Sequence, residues 1–143
     1  MNSKISSFRL LNIRRDEVWR AFEEPEHLAK WWGPKGFTNT FKRFEFKNGG
    51  IWHFTMHGPG GKDFPNVSVF EEIVKHEKIV FTHLETMHTF KATITFEDLG
   101  DKTKINWIME FETEEEYEKV KHFVLQANEQ NFDRLEAELA RMV

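Results

Sequence analysis

The chain has 143 residues, with 24 acidic against 20 basic side chains and a formal net charge of −4; that length suits one domain over residues 1–143, and that balance excludes an electrostatic nucleic-acid binder, which carries a basic stripe. Fifteen Phe and five Trp in a composition that is 31% charged point to a globular protein with a bulky interior or an aromatic cavity lining. Cysteine is absent, which excludes a disulfide framework, a thiol nucleophile and thiolate metal ligation.

The N-terminal residues show no apolar run leading to a small-residue cleavage site, and no later run reaches bilayer-spanning length, so a cytoplasmic protein with no membrane partner is expected. Lys4 to Leu11 reads as a first strand. Asn12 is placed to cap a short helix that turns Val18, Trp19 and Phe22 toward the core. Glu23-Glu24-Pro25 ends it and opens a second, Glu26 to Lys30, with proline at its first position. Trp31-Trp32 then precede Gly33-Pro34. Two adjacent indoles cannot point the same way, so one is expected in the core and the other at the mouth of a cavity.

From Phe37 to Phe111 the apolar period becomes two. Phe37 to Phe46 is expected as a strand, Asn48-Gly49-Gly50 as its turn, and Ile51 to His57 as the next strand, with Trp52, Phe54 and Met56 on one face and His53, Thr55 and His57 on the other. Gly58 to Gly61 starts a loop running to Pro65. Val67 to Val74 and Lys78 to Leu84 flank a turn at Lys75-His76-Glu77. His88 to Phe96 places Phe90, Ala92, Ile94 and Phe96 on one face, and Thr103 to Phe111 does the same with Ile105, Trp107, Met109 and Phe111.

Thr113 to Val143 contains neither Gly nor Pro and opens Thr-Glu-Glu-Glu, a capping box with Thr113 as cap and Glu116 reaching back. One helix of roughly 40 Å would cross a small domain. Tyr117, Val120, Val124, Ala127, Phe132, Leu135, Leu139 and Met142 form its apolar stripe, opposite Glu118, Glu129, Asp133 and Glu136. Asn128 and Asn131 fall inside that stripe. A buried amide left unpaired costs about 1–3 kcal/mol, so each must find a backbone group, an internal water or a ligand. The order is strand, two short helices, six antiparallel strands and a long helix, an α+β architecture in which the helix covers the sheet's apolar face.

These features, with Pro25-Glu26-His27-Leu28-Ala29-Lys30-Trp31-Trp32-Gly33-Pro34, Gly49-Gly50-Ile51-Trp52-His53-Phe54, Met56-His57-Gly58-Pro59 and Asn131-Phe132-Asp133-Arg134-Leu135, resemble the START-like (SRPBCC) superfamily. Within it the chain is similar to the bacterial single-domain proteins named after the activator of the heat-shock-protein ATPase. The resemblance implies the helix-grip fold, a curved antiparallel sheet of about seven strands around the C-terminal helix, and binding of a hydrophobic small molecule between the two. Gly60 stands where an acidic residue is expected, and His76 where proline is common. Related proteins include lipid carriers, hormone receptors, polyketide cyclases and dehydratases, and co-chaperones, so the resemblance alone does not fix a function.

His53 and His57 are four residues apart on a strand and hence about 13 Å apart, too far to share one ion. With Glu85 and Thr86 at a hairpin tip, His83 and His88 would lie opposite one another, about 5 Å apart. Such a pair could hold a polar ligand group, act as acid and base, or supply two metal ligands; a solvated pair at a sheet end is the plainer alternative. No third ligand is evident, and neither a metal nor a cofactor is assigned. The expected cavity wall is Trp32, Trp52, Phe54, Met56, Phe90, Ile94, Trp107 and Met109, with Val124, Ala127, Asn128 and Asn131 from the helix. The expected partner is a hydrophobic, aromatic or lipid-like molecule. The alternatives are a cyclase- or dehydratase-type enzyme using His57, His83 or His88, and a stress-related co-chaperone-like protein. The chain would be a monomer, or a homodimer through an unpaired sheet edge.

Overall fold

Alternating apolar residues give one antiparallel sheet. The computed structural model describes residues 3–84 and 89–142. Its elements are β1 (Lys4–Leu11), α1 (Arg15–Glu23), α2 (Pro25–Trp31), β2 (Thr38–Phe44), β3 (Ile51–His57), β4 (Asp63–Val74), β5 (Lys78–Leu84), β6 (Phe90–Asp98), β7 (Thr103–Phe111) and α3 (Glu114–Met142). Among the described residues the seven strands order as β1-β7-β6-β5-β4-β3-β2. Consecutive strands from β2 to β7 are therefore neighbours, and β1 closes onto β7. Together with the two short helices and α3, this is the helix-grip α+β arrangement.

Three local expectations are corrected. Arg14, not Asn12, is the N-cap of α1, and it makes no side-chain cap bond; Asp16 and Glu17 supply the negative charge in the first turn. β4 begins at Asp63 and so includes Pro65, opposite Thr55 of β3. Among the described residues, the β4–β5 ladder runs from the pair Val67 and Leu84 to the pair Val74 and Lys78. Finally, the residue opposite His83 is Phe90. The expected partner, His88, lies outside the described residues.

Two helical layers cover different parts of the sheet. Val18, Trp19, Ala21 and Phe22 of α1 and Leu28 and Trp31 of α2 are buried, and Trp31 Nε1 donates to the Ala21 carbonyl at 2.9 Å. Along α3, Phe132, Leu135 and Leu139 are buried, whereas Tyr117, Val120, Val124 and Ala127 are only half-buried. Thr113 Oγ1 accepts from Glu116 N at 3.1 Å and caps the helix. The polar face of α3 is not merely solvated. Glu129, Asp133 and Glu136 each accept from Arg9 of β1 at 2.7 Å. Partial burial alone would lower the Arg9 pKa; the three carboxylates, led by Asp133, outweigh it and raise it above the ordinary arginine value.

Candidate ligand cavity

The half-buried stretch of α3 overhangs a cavity of about 290 Å³. Its sheet side is built by Met56 of β3, Phe81 and His83 of β5, Phe90 of β6, and Trp107, Met109 and Phe111 of β7. Its helix side is Val120, Phe123, Val124, Ala127, Asn128 and Asn131, and Trp32, Gly33 and Pro34 close one end. The two indoles divide their work: Trp31 is 1% exposed within the core, while Trp32 faces the cavity, stacked on Trp107 at 5.3 Å and 26°.

The closing segment is held by α3. The Arg134 guanidinium donates to the carbonyls of Lys30, Trp32, Gly33, Pro34 and Phe37 at 2.7 to 3.2 Å. Burial, with nearby Arg141, pushes the Arg134 pKa below the ordinary arginine value. Asn131 Oδ1 accepts from Gly33 N at 2.8 Å, Gln130 Oε1 from Lys35 N at 3.0 Å, and Asn39 Nδ2 donates to the Ala29 and Trp32 carbonyls at 3.0 and 2.7 Å. Gly33 has φ +101, the left-handed region that favours glycine.

Polar groups on the wall are few. Asn128 is 3% and Asn131 8% exposed. Asn128 Nδ2 reaches Ser7 Oγ at 3.3 Å and Met109 Sδ at 3.8 Å. His83 is 7% exposed and stacks on Phe90 at 4.8 Å and 26°. Trp107 Nε1 is buried without a protein partner among the described residues.

Of the residues named from sequence, Trp32, Met56, Phe90, Trp107, Met109, Val124, Ala127, Asn128, Asn131 and His83 lie together on this wall. Trp52, Phe54 and Ile94 do not, and their placement is corrected. Trp52 is packed between Phe54 (4.4 Å, 24°) and Phe70 (5.8 Å, 6°), with the Trp32 ring edge-on at 4.9 Å. Phe22 and Leu28 fill the space over Trp52 and Ile94, leaving a void of only about 10 Å³. His57 is also outside the cavity: its Nδ1 lies 2.7 Å from Asp63 Oδ1 and its Nε2 2.7 Å from Thr40 Oγ1, a cluster joining β2, β3 and β4. Phe81 and Phe111 had a readable signal, since each continues the apolar face of its strand. Phe123 had none, because it is off the helical stripe and 67% exposed at the rim.

Among the described residues, Glu24, Glu26 and His27 alone come close enough to share an ion. Two of the three already have partners: Arg20 Nε donates to Glu24 at 2.8 Å, and His27 Nδ1 lies 2.7 Å from the buried Glu138 carboxylate. This cluster lies outside the cavity lining.

A family model described as Activator of Hsp90 ATPase homolog 1-like protein matches residues 12–140. The chain belongs to that family. Solved structures with the same fold include a protein of Arthrobacter aurescens, with 24% identity, TM-score 0.90 and coverage of 97% of this chain and 87% of the other. A Nitrosomonas europaea protein has 22% identity, TM-score 0.89 and coverage of 98% and 96%. A Silicibacter pomeroyi protein of the same family has 15% identity, TM-score 0.80 and coverage of 98% and 99%. Among curated proteins, none matches the chain significantly by sequence. At these identities the structural likeness establishes the fold and not a shared ligand. In this member of the Activator of Hsp90 ATPase homolog 1-like family, the cavity and the Arg134 contacts to its closing segment are what its own residues contribute.

Proposed function

We propose that the protein binds a hydrophobic small molecule in the cavity between the sheet and α3. The observation that carries this reading is a space of about 290 Å³ walled, among the described residues, mainly by aromatic and aliphatic side chains, with Asn128, Asn131 and His83 as the polar points. Ligand sites commonly occupy about 300–1,000 Å³ and combine an apolar wall with a few orienting groups; this one, at about 290 Å³, lies just below that range. Burial of apolar surface supplies affinity at about 25 cal/mol per Å² before binding costs, and the amides supply orientation. Native mass spectrometry of protein purified from its own cells should give a reproducible adduct that denaturing extraction releases. A clean mass, with no saturable uptake of neutral aromatic probes, would contradict the proposal.

A second reading has its own observation: His83 is buried on the same wall. An imidazole there could transfer a proton to a bound molecule, as a cyclase- or dehydratase-type enzyme requires. The extracted ligand should then be converted by the protein, and His83→Gln should keep binding while losing conversion. An unchanged ligand after prolonged incubation excludes this reading.

A further inference from the structure

We infer that the cavity selects an uncharged aromatic molecule bearing a hydrogen-bond acceptor, held by the side-chain NH2 of Asn131; this rests on the cavity-binding reading above. The orientation of the Asn131 amide is set by chemistry. Gly33 N can only donate, and it lies 2.8 Å from Asn131 Oδ1, so the oxygen is committed to the backbone and the other branch of the amide is the NH2. Among the described residues no protein acceptor engages that NH2, although Asn131 is only 8% exposed and lines the cavity. An acceptor on a ligand would satisfy it. Asn128 is committed differently, toward Ser7 Oγ and Met109 Sδ.

The ring and charge preferences follow from the remaining wall. Trp32 and Trp107, stacked at 26°, with Phe81 and Phe90, offer ring faces and edges that suit a flat aromatic body. Among the described residues, no Lys, Arg, Asp or Glu lines the space. A carboxylate would therefore surrender its hydration without gaining an opposite charge, whereas a carbonyl needs only a donor.

The test uses three probes of one shape: fluorene, 9-fluorenone and fluorene-9-carboxylate, measured by equilibrium dialysis against the full chain at pH 8. The ketone should bind about five- to tenfold more tightly than the hydrocarbon, as expected for one added hydrogen bond, and the carboxylate most weakly. Asn131→Asp keeps an oxygen for Gly33 N but removes the NH2; it should erase the ketone's advantage while fluorene still binds. If that variant fails to fold, the ranking in the unaltered protein decides. Equal binding of fluorene and the ketone, tightest binding of the carboxylate, or a ketone advantage that survives in folded Asn131→Asp would overturn the inference and leave cavity binding standing. Failure of all three probes to bind up to their solubility would overturn the binding reading itself, and this inference with it.

Discussion

Arg134 shows how much one side chain can organise. Its guanidinium meets five backbone carbonyls between Lys30 and Phe37, so a segment with little regular structure of its own is fixed against α3. Trp32, which closes the cavity, is inside that segment. Arginine suits the task because its fixed fork of donors spreads over several acceptors and stays charged when half buried. Arg134→Ala should cost about 2–3 kcal/mol, given the strength of hydrogen bonds to charged donors, and denaturant titration checks it. A loss below about 0.5 kcal/mol, the range of ordinary surface substitutions, would mean that the carbonyls find water without penalty. The importance of Arg134 was only partly legible: it stands in the Asn131-Phe132-Asp133-Arg134-Leu135 segment, but its contacts lie about a hundred residues away in sequence and leave no local periodicity.

At the scale of elements, alternation and caps were informative where the physics is local. β1, β3, β5 and β7 span the segments their patterns mark, and Thr113 caps α3, but only this half of the expected capping box forms, since Glu116 Oε2 is buried without a partner among the described residues. β2 is shorter than its pattern, running from Thr38 to Phe44, with a register shift between Phe41 and Arg43. A bulge adds a residue on one strand and ends simple alternation. The face of each strand was legible; the helix covering it was not. Period two puts Trp52, Phe54 and Ile94 on the same side of the sheet as Trp107 and Met109, yet Phe22 and Leu28 from α1 and α2 cover Trp52 and Ile94, while α3 overhangs Trp107 and Met109 across open space. That distinction depends on the packing of elements distant in sequence, which no single-strand pattern encodes.

Across the whole molecule, the sheet is divided between a solid aromatic core under α1 and α2 and a hollow under the first half of α3. The half-buried state of Val120, Val124 and Ala127 belongs to the hollow, whereas Phe132, Leu135 and Leu139 seal the far half. If the hollow is the binding site, filling it from the helix should abolish binding without unfolding the protein, since α3 keeps its cap, its Arg9 contacts and its buried C-terminal half. Ala127 is the small side chain on the helix wall. The most direct measurement is fluorescence titration of the neutral probe N-phenyl-1-naphthylamine into the unaltered protein and into Ala127→Trp, with circular dichroism to confirm that both are folded. Saturable one-to-one binding that is lost, or weakened at least about tenfold, in Ala127→Trp is the predicted result. Equal binding by both folded proteins would place the probe elsewhere and contradict the cavity as the site.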